Sequence, residues 1–304
     1  MNSTPQLHLA KTSLTGLSVG DAFGETFFGK EDIILERLAR RKLQEGIWPF
    51  TDDTVMSIGI YKILATYGEI NQDALAKEFA ANYLLDDYRG YGGTAHSILK
   101  DIAAGHRWKD VSKQVFDGMG SMGNGAAMRA GLIGAFFHEN ETKLIEQAIL
   151  SAEITHFNQE AIAGAIAIAL AAGICVRFNK MGKILTPAAF FEHITAYTPD
   201  SDVKHKIRKA ATLPPHYDIR TVTFILGNGS RLTAQDTVPF ALWCIAYHLY
   251  DYETAIWTAV SGLGDRDTIA AITGSVVVLS AGIPAIPDQW LQQRENIELS
   301  PFLR

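Results

Sequence analysis

Residues 52–68 read "DDTVMSIGIYKILATYG". Met56, Ile60, Ile63, Leu64 and Tyr67 recur three or four positions apart, which lays them along one face of an α-helix. Gly68 supplies the stop, because glycine accepts the left-handed conformation that ends helices. The stretch is therefore read as a buried helix that opens on two carboxylates.

Working outward, helical spacing recurs near 9–23, 31–44, 72–85, 93–104, 125–137, 141–153, 158–177, 187–196, 201–211, 218–226, 235–249, 252–261 and 267–281. Strand alternation is almost absent, so the fold class is all-α, a compact multi-helix bundle. Breaks such as "LPPHYD" and "LGNGSRLT" are single turns, and no repeat of fixed period is present. Residues 1–304 are accordingly expected to form one domain, and 47% hydrophobic residues suffice for a substantial core.

Composition narrows the partners. The net charge is -6, with Lys and Arg spread along the chain, so no basic stripe is available to capture nucleic-acid phosphates. Cys175 and Cys244 each stand alone in apolar segments, as reduced core cysteines do. The opening "MNSTPQLHLAKTS" has no apolar run before a cleavage site, which gives a cytoplasmic expectation. "AIAGAIAIALAAGICV" from 161 and "AAITGSVVVLSAGIPAIP" from 270 approach the hydrophobicity of membrane spans. Both are short for a bilayer and rich in Gly and Ala, and Pro284 and Pro287 break the second, so they are read as central helices rather than membrane spans.

Two oxygen-rich clusters stand at the mouths of apolar helices. "TDD" at 51–53 opens the stretch quoted first, and "GDRDT" at 264–268 opens the helix that follows it. One Asp or Thr is enough to cap a helix, and both clusters offer more than one. If the clusters meet, Asp52, Asp53, Asp265 and Asp267 repel one another unless a cation compensates. Thr51 and Thr268 add hydroxyl ligands, and hard oxygen donors of this kind suit magnesium, enough here for two ions, with manganese as a possible substitute. On spacing alone two alternatives stay open: each cluster is an ordinary cap that never meets the other, or Arg266 neutralises its two neighbours.

"GLSVGDAFG", "FTDDTVMS", "GYGGTA", "GNGAAMRAG", "THFNQEAIAGA" and "GLGDRDTIAAITG" occur in the order and approximate spacing of the ADP-ribosylglycohydrolases, the family that includes dinitrogenase reductase-activating glycohydrolase. The resemblance spans about residues 12–282, and the pair "TDD" with "GDxDT" is its most specific part. It implies a compact all-α fold with a binuclear magnesium site on Thr51, Asp52, Asp53, Asp265, Asp267 and Thr268. It also implies cleavage of the glycosidic bond between ADP-ribose and an acceptor such as a modified protein side chain, with Asp52 and Asp53 as the essential pair.

In proteins the chain resembles, glycine loops hold the pyrophosphate and distal ribose, which carries over to Gly92, Gly93, Thr94, Gly123, Asn124 and Gly125. Glycine lets a backbone approach a ligand closely and free N–H groups at a helix start bind phosphate, although such entries often serve only as turns. His156 is expected at the substrate cleft as a contact, or else as a residue capping the helix after it. Arg129 is read as a structural ion pair, and His96, His106 and His248 as structural or exposed. Relatives carry a glutamate at about the place of Phe28, so Glu25 is the substitute catalytic carboxylate or the function of that group is lost. Asp86 and Asp87 give an acidic rim that favours an arginine acceptor slightly, or are solvated helix-end charges. Two rival functions stay open: a non-catalytic ADP-ribose-binding or structural protein on the same fold, and a magnesium-dependent nucleotide-sugar phosphohydrolase. Oligomeric state is not legible.

Overall fold

The computed structural model describes residues 4–303. The chain runs through α1 (Pro5–Glu25), α2 (Glu31–Ala39), α3 (Asp52–Tyr67), α4 (Gln72–Leu85), α5 (Gly93–Ala103) and α6 (Trp108–Gln114). It continues through α7 (Gly125–Met128), α8 (Gly131–Phe136), α9 (Glu141–Glu153), α10 (Gln159–Lys180), α11 (Pro187–Tyr197) and α12 (Asp202–Ala210). The last third holds α13 (Ile219–Leu226), α14 (Ala234–Tyr247), α15 (Tyr252–Val260), α16 (Arg266–Ala281) and α17 (Asp288–Gln293). Among the described residues β-structure is limited to two isolated bridges, Trp48 with Arg294 and Gly123 with Thr233.

The middle of the bundle is made by helices with no polar face. α10 is long and apolar enough to cross a membrane, yet most of it lies buried inside the protein, from Ala161 to Val176 with the single gap of Ile162. α16 is buried from Thr268 to Leu279. Helices apolar all round can only be satisfied by neighbours all round, and α1, α8, α9, α14 and α15 supply them.

One contact decides where the functional groups sit. α1 and α16 run antiparallel with their backbones in touch, because Gly16, Gly20 and Gly24 repeat every four residues on one face of α1. A Cβ at Gly16 would strike the carbonyl of Gly274, one at Gly20 the carbonyl of Ala270, and one at Gly24 the backbone of Arg266 and Asp267. The end of α1, with Asp21 and Glu25, is thereby laid against the start of α16. Phe23 anchors this end in an aromatic cluster, stacked on Trp290 at 4.2 Å and edge-on to Trp257 at 4.9 Å.

Several expected boundaries shift for local reasons. α1 begins at Pro5 rather than near 9, since Thr4 accepts a hydrogen bond from the amide of Leu7 and proline suits the first helical position. The expected helix 31–44 ends at Ala39, because Arg41 takes a left-handed conformation at φ 47°. The expected helix 125–137 is two short helices, α7 and α8. α6 and α17 lie outside the expected segments, being too short to show a period.

Candidate active site and metal centre

The two acidic clusters meet. Thr268 Oγ1 donates across the molecule to Asp53 Oδ2 at 3.2 Å, joining the start of α16 to the start of α3. Capping accounts for only part of the arrangement: Thr51 accepts from the amide of Asp53 at 3.3 Å, but Asp265, at the cap position of α16, makes no capping hydrogen bond. Arg266 forms no ion pair with its two neighbours, although its charge acts on Asp267. Its guanidinium donates to the carbonyl of Leu263 and lies over the Phe28 ring, 5.0 Å from the centroid, with no carboxylate in ion-pair range among the described residues.

A fifth carboxylate stands behind them. Asp21 is fully buried and accepts from the Thr51 amide (3.0 Å), Thr51 Oγ1 (2.8 Å), the Thr54 amide (3.1 Å) and Thr54 Oγ1 (2.5 Å). It fastens the first turn of α3 to α1, so the "TDD" backbone is fixed from beneath. Ligand oxygens of Asp21, Asp53 and Asp267 all lie within 4.8 Å of one another, a role for Asp21 that lies outside the two sequence clusters. A signal was there: an ionisable residue on a helix whose neighbours are Gly, Ala, Ser, Val and Phe must have buried partners.

Electrostatics show what this cluster lacks. Burial pushes Asp21 up to about 7, with the nearby Asp267 adding to the effect. Burial and mutual repulsion likewise hold Asp52, Asp53 and Asp265 well above the usual carboxylate range, and burial raises Asp267. Asp53 Oδ1 and Asp267 Oδ1 are buried with no hydrogen-bond partner. Buried, unpartnered oxygens on carboxylates that lie this close together fit a metal ion, and among the described residues no lysine or arginine forms an ion pair with these five.

Above the acids opens a cleft of about 290 Å³. Asp52, Asp265, Asp267 and Thr268 line its acidic end, while Thr51 and Asp53 lie buried behind them. Gly92, Gly93 and Thr94 form one wall at the start of α5, and Gly123, Asn124, Gly125 and His156 form another. The two glycine pairs are there for different reasons. A Cβ at Gly92 or Gly93 would meet nothing within 4 Å, so these glycines leave room beside free helix-start amides. A Cβ at Gly123 or Gly125 would sit 2.9 Å from the His156 ring, so there the missing side chain admits the imidazole. Asn124 donates its amide to Asp265 Oδ2 (2.6 Å) and Thr237 Oγ1 (3.0 Å), which orients the carboxylate as well as forming the wall. His156 does not cap α10; Asn158 does, accepting from the amide of Glu160 at 2.9 Å.

Phe116, Met122, Arg231 and Leu232 complete the lining and were not anticipated. Phe116 and Leu232 have left-handed backbones, at φ 51° and 55°, in loops brought together by the bond from the Asn124 amide to the Leu232 carbonyl at 3.1 Å. Nothing in local periodicity marks such positions. Arg129 is structural, as expected, but it is not an ion pair: the buried guanidinium donates to Gly125 O, Ser151 O and Thr155 Oγ1, and Asp52 is the acid whose charge acts on it. Glu25 ends α1, half-buried and outside the cleft lining, and burial with Asp267 nearby raises it to about 7. Phe28 is 45% exposed, and its ring packs under the Arg266 guanidinium. Asp86 is tied to Arg89 at 2.8 Å, Asp87 is exposed, and neither belongs to the cleft lining. Tyr83 Oη is bonded to His96 Nδ1 at 2.9 Å, His248 Nε2 to Thr258 Oγ1 at 3.2 Å, and His106 is exposed.

An all-helical body with opposed "TDD" and "GDxDT" helix starts at the floor of a cleft defines a class, and comparison with known proteins agrees. The chain belongs to the ADP-ribosylglycohydrolase family, a family of hydrolases acting on ADP-ribose glycosidic linkages, whose defining pattern matches residues 2–302. It is 27% identical to ADP-ribosylhydrolase ARH3 of Danio rerio, over 94% of this chain and 86% of that protein. ADP-ribosylhydrolase ARH3 of Homo sapiens is 23% identical, over 95% of this chain and 90% of that one. A solved structure described as an ADP-ribosylglycohydrolase-related protein complex shares the fold, with a TM-score of 0.68 over 95% of this chain and 93% of that chain at 22% identity.

Proposed function

We propose that the protein is a magnesium-dependent hydrolase that cleaves the glycosidic bond between ADP-ribose and an acceptor side chain, arginine slightly favoured, and so reverses ADP-ribosylation. The observation that carries this reading is the pair of buried, unpartnered oxygens, Asp53 Oδ1 and Asp267 Oδ1, at the floor of a cleft walled by open glycines. Thr51, Asp52, Asp53, Asp265, Asp267 and Thr268 would hold two magnesium ions, with Asp21 keeping the first three in place. When bound, the metal supplies positive charge that binds sugar hydroxyls and offsets the carboxylate repulsion.

The chain's own groups do the rest. The amides at Gly92 and Gly93 bind the anionic end of the ligand, and the acidic floor receives the ribose. Carboxylates facing the anomeric carbon stabilise the positive charge that develops as its bond to the acceptor breaks. Asp52, on the cleft wall, accepts a proton from the water whose oxygen bonds to that carbon. The acceptor leaves with the bonding electrons and takes a proton. Glu25, a half-buried carboxyl at the end of α1 that burial raises and whose neighbour is Asp267, is the group of this chain assigned to supply it from behind the acidic floor. The exposed Asp87, three residues before the cleft-lining Gly90, favours a cationic guanidine acceptor.

A second reading has one observation in its favour. With Phe28 where relatives carry a glutamate, the chain would bind ADP-ribose without turning it over. The discriminating experiment incubates the protein with arginine-modified and serine-modified ADP-ribosylated proteins and identifies the product. Intact ADP-ribose from the arginine-modified substrate supports the proposed reaction. AMP would instead make it a phosphohydrolase, and binding without release would make it a reader.

A further inference from the structure

Behind the cleft wall runs a line of hydrogen bonds that the proposed chemistry does not use. Arg129 Nη2 donates to Thr155 Oγ1 at 2.9 Å, and Thr155 Oγ1 lies 2.7 Å from His156 Nδ1. Arg129 and Thr155 are fully buried. A guanidinium only donates, so the Thr155 hydroxyl accepts from Arg129 and has one hydrogen left to give. Among the described residues its only acceptor within reach is His156 Nδ1. Nδ1 therefore accepts, and the ring proton of the neutral imidazole resides on Nε2.

The ring cannot easily turn to undo this. It lies flush on the backbone of Gly123 and Gly125, so close that a Cβ on either would be 2.9 Å from Nε2 or Cε1. A flip would also set a carbon against the Thr155 hydroxyl and leave that hydrogen unmet. His156 is 8% exposed, lines the cleft, and has no protein partner for Nε2 among the described residues. Burial, with the Arg129 charge behind, pushes its pKa down to about 3, which agrees with a neutral ring.

We infer that Arg129 and Thr155 are positioning residues that lock His156 as an Nε2–H donor facing the cleft, so that it recognises an acceptor oxygen of the ligand and takes no proton from it. The lock itself stands on the hydrogen bonds. That the oxygen belongs to a phosphate or ribose of ADP-ribose rests on the function proposed above. A ligand that presented an N–H at this point would be rejected, because two donors would face each other.

The test is nitrogen NMR of the histidine rings in the full-length protein labelled at histidine, with His156→Gln to assign the signal. In the wild type, His156 should show a protonated Nε2 and an unprotonated Nδ1 from pH 5.5 to 8. Thr155→Ser should keep that pattern, whereas Thr155→Val should mix or reverse the tautomers and weaken ADP-ribose binding about tenfold. A protonated Nδ1 in the wild type would overturn the inference and needs no variant to fold. So would Thr155→Val with unchanged tautomer and affinity. A wild type with the expected tautomer that fails to bind ADP-ribose would uphold the lock and overturn the functional reading alone.

Discussion

Asp53 and Asp267 each carry one buried oxygen that the protein leaves without a partner. That is costly unless a cation is the partner, and the sign of the effect on stability can be worked out. Asp21 and Glu25, raised to about 7 in the folded chain, bind protons more tightly folded than unfolded. The metal-free protein should therefore lose stability as pH rises from the ordinary carboxylate range, near 4, through about 7. Melting curves of EDTA-treated protein at pH 5 and pH 8 should show a lower Tm at pH 8, and magnesium should restore most of the difference. Asp53→Asn should abolish that magnesium response while raising the metal-free Tm at pH 8, because one repelling charge is gone. Glu25→Gln should lower kcat on the order of a hundredfold and raise the metal-free Tm at pH 8, because a carboxylate that is costly to ionise in the fold is gone. An unchanged rate would remove Glu25 from the mechanism.

Among the elements, the contact of α1 with α16 controls the site. The glycine stripe at Gly16, Gly20 and Gly24 sets how close the helices lie and hence how Asp21 meets Asp267. Gly20→Ala forces a Cβ into the Ala270 carbonyl and should cost about 1–3 kcal/mol in urea denaturation, with weaker magnesium binding from the displaced Asp21. A substitution that cost stability but left magnesium affinity untouched would separate the packing from the site. The same element shows what sequence can and cannot reveal. "TDD" and "GDRDT" announce themselves because helix starts concentrate oxygens locally. The role of Asp21 does not, because its hydrogen bonds go to Thr51 and Thr54, some 30 positions further on, and no spacing rule reaches that far. Short helices such as α6 stay hidden for a related reason: seven residues hold two turns and no readable period.

At the scale of the whole molecule, the all-α class and the apolar central helices α10 and α16 were legible, since a helix without a polar face has few places to go. The cleft was half legible. Its acidic end and glycine walls are written in contiguous motifs, whereas Phe116, Met122, Arg231 and Leu232 come from loops that only the assembled fold brings together. The identity of Arg129 as the root of a hydrogen-bond line to His156 likewise required the packed structure. All these parts converge on one claim, that the opposed helix starts hold a metal needed to cleave an ADP-ribose linkage. The most direct measurement strips the protein with EDTA, supplies an arginine-ADP-ribosylated protein, and follows free ADP-ribose while magnesium is added back. Release that is absent without metal, rises saturably with magnesium and is missing in Asp53→Asn is the predicted result. Equal release in EDTA and in magnesium would contradict it.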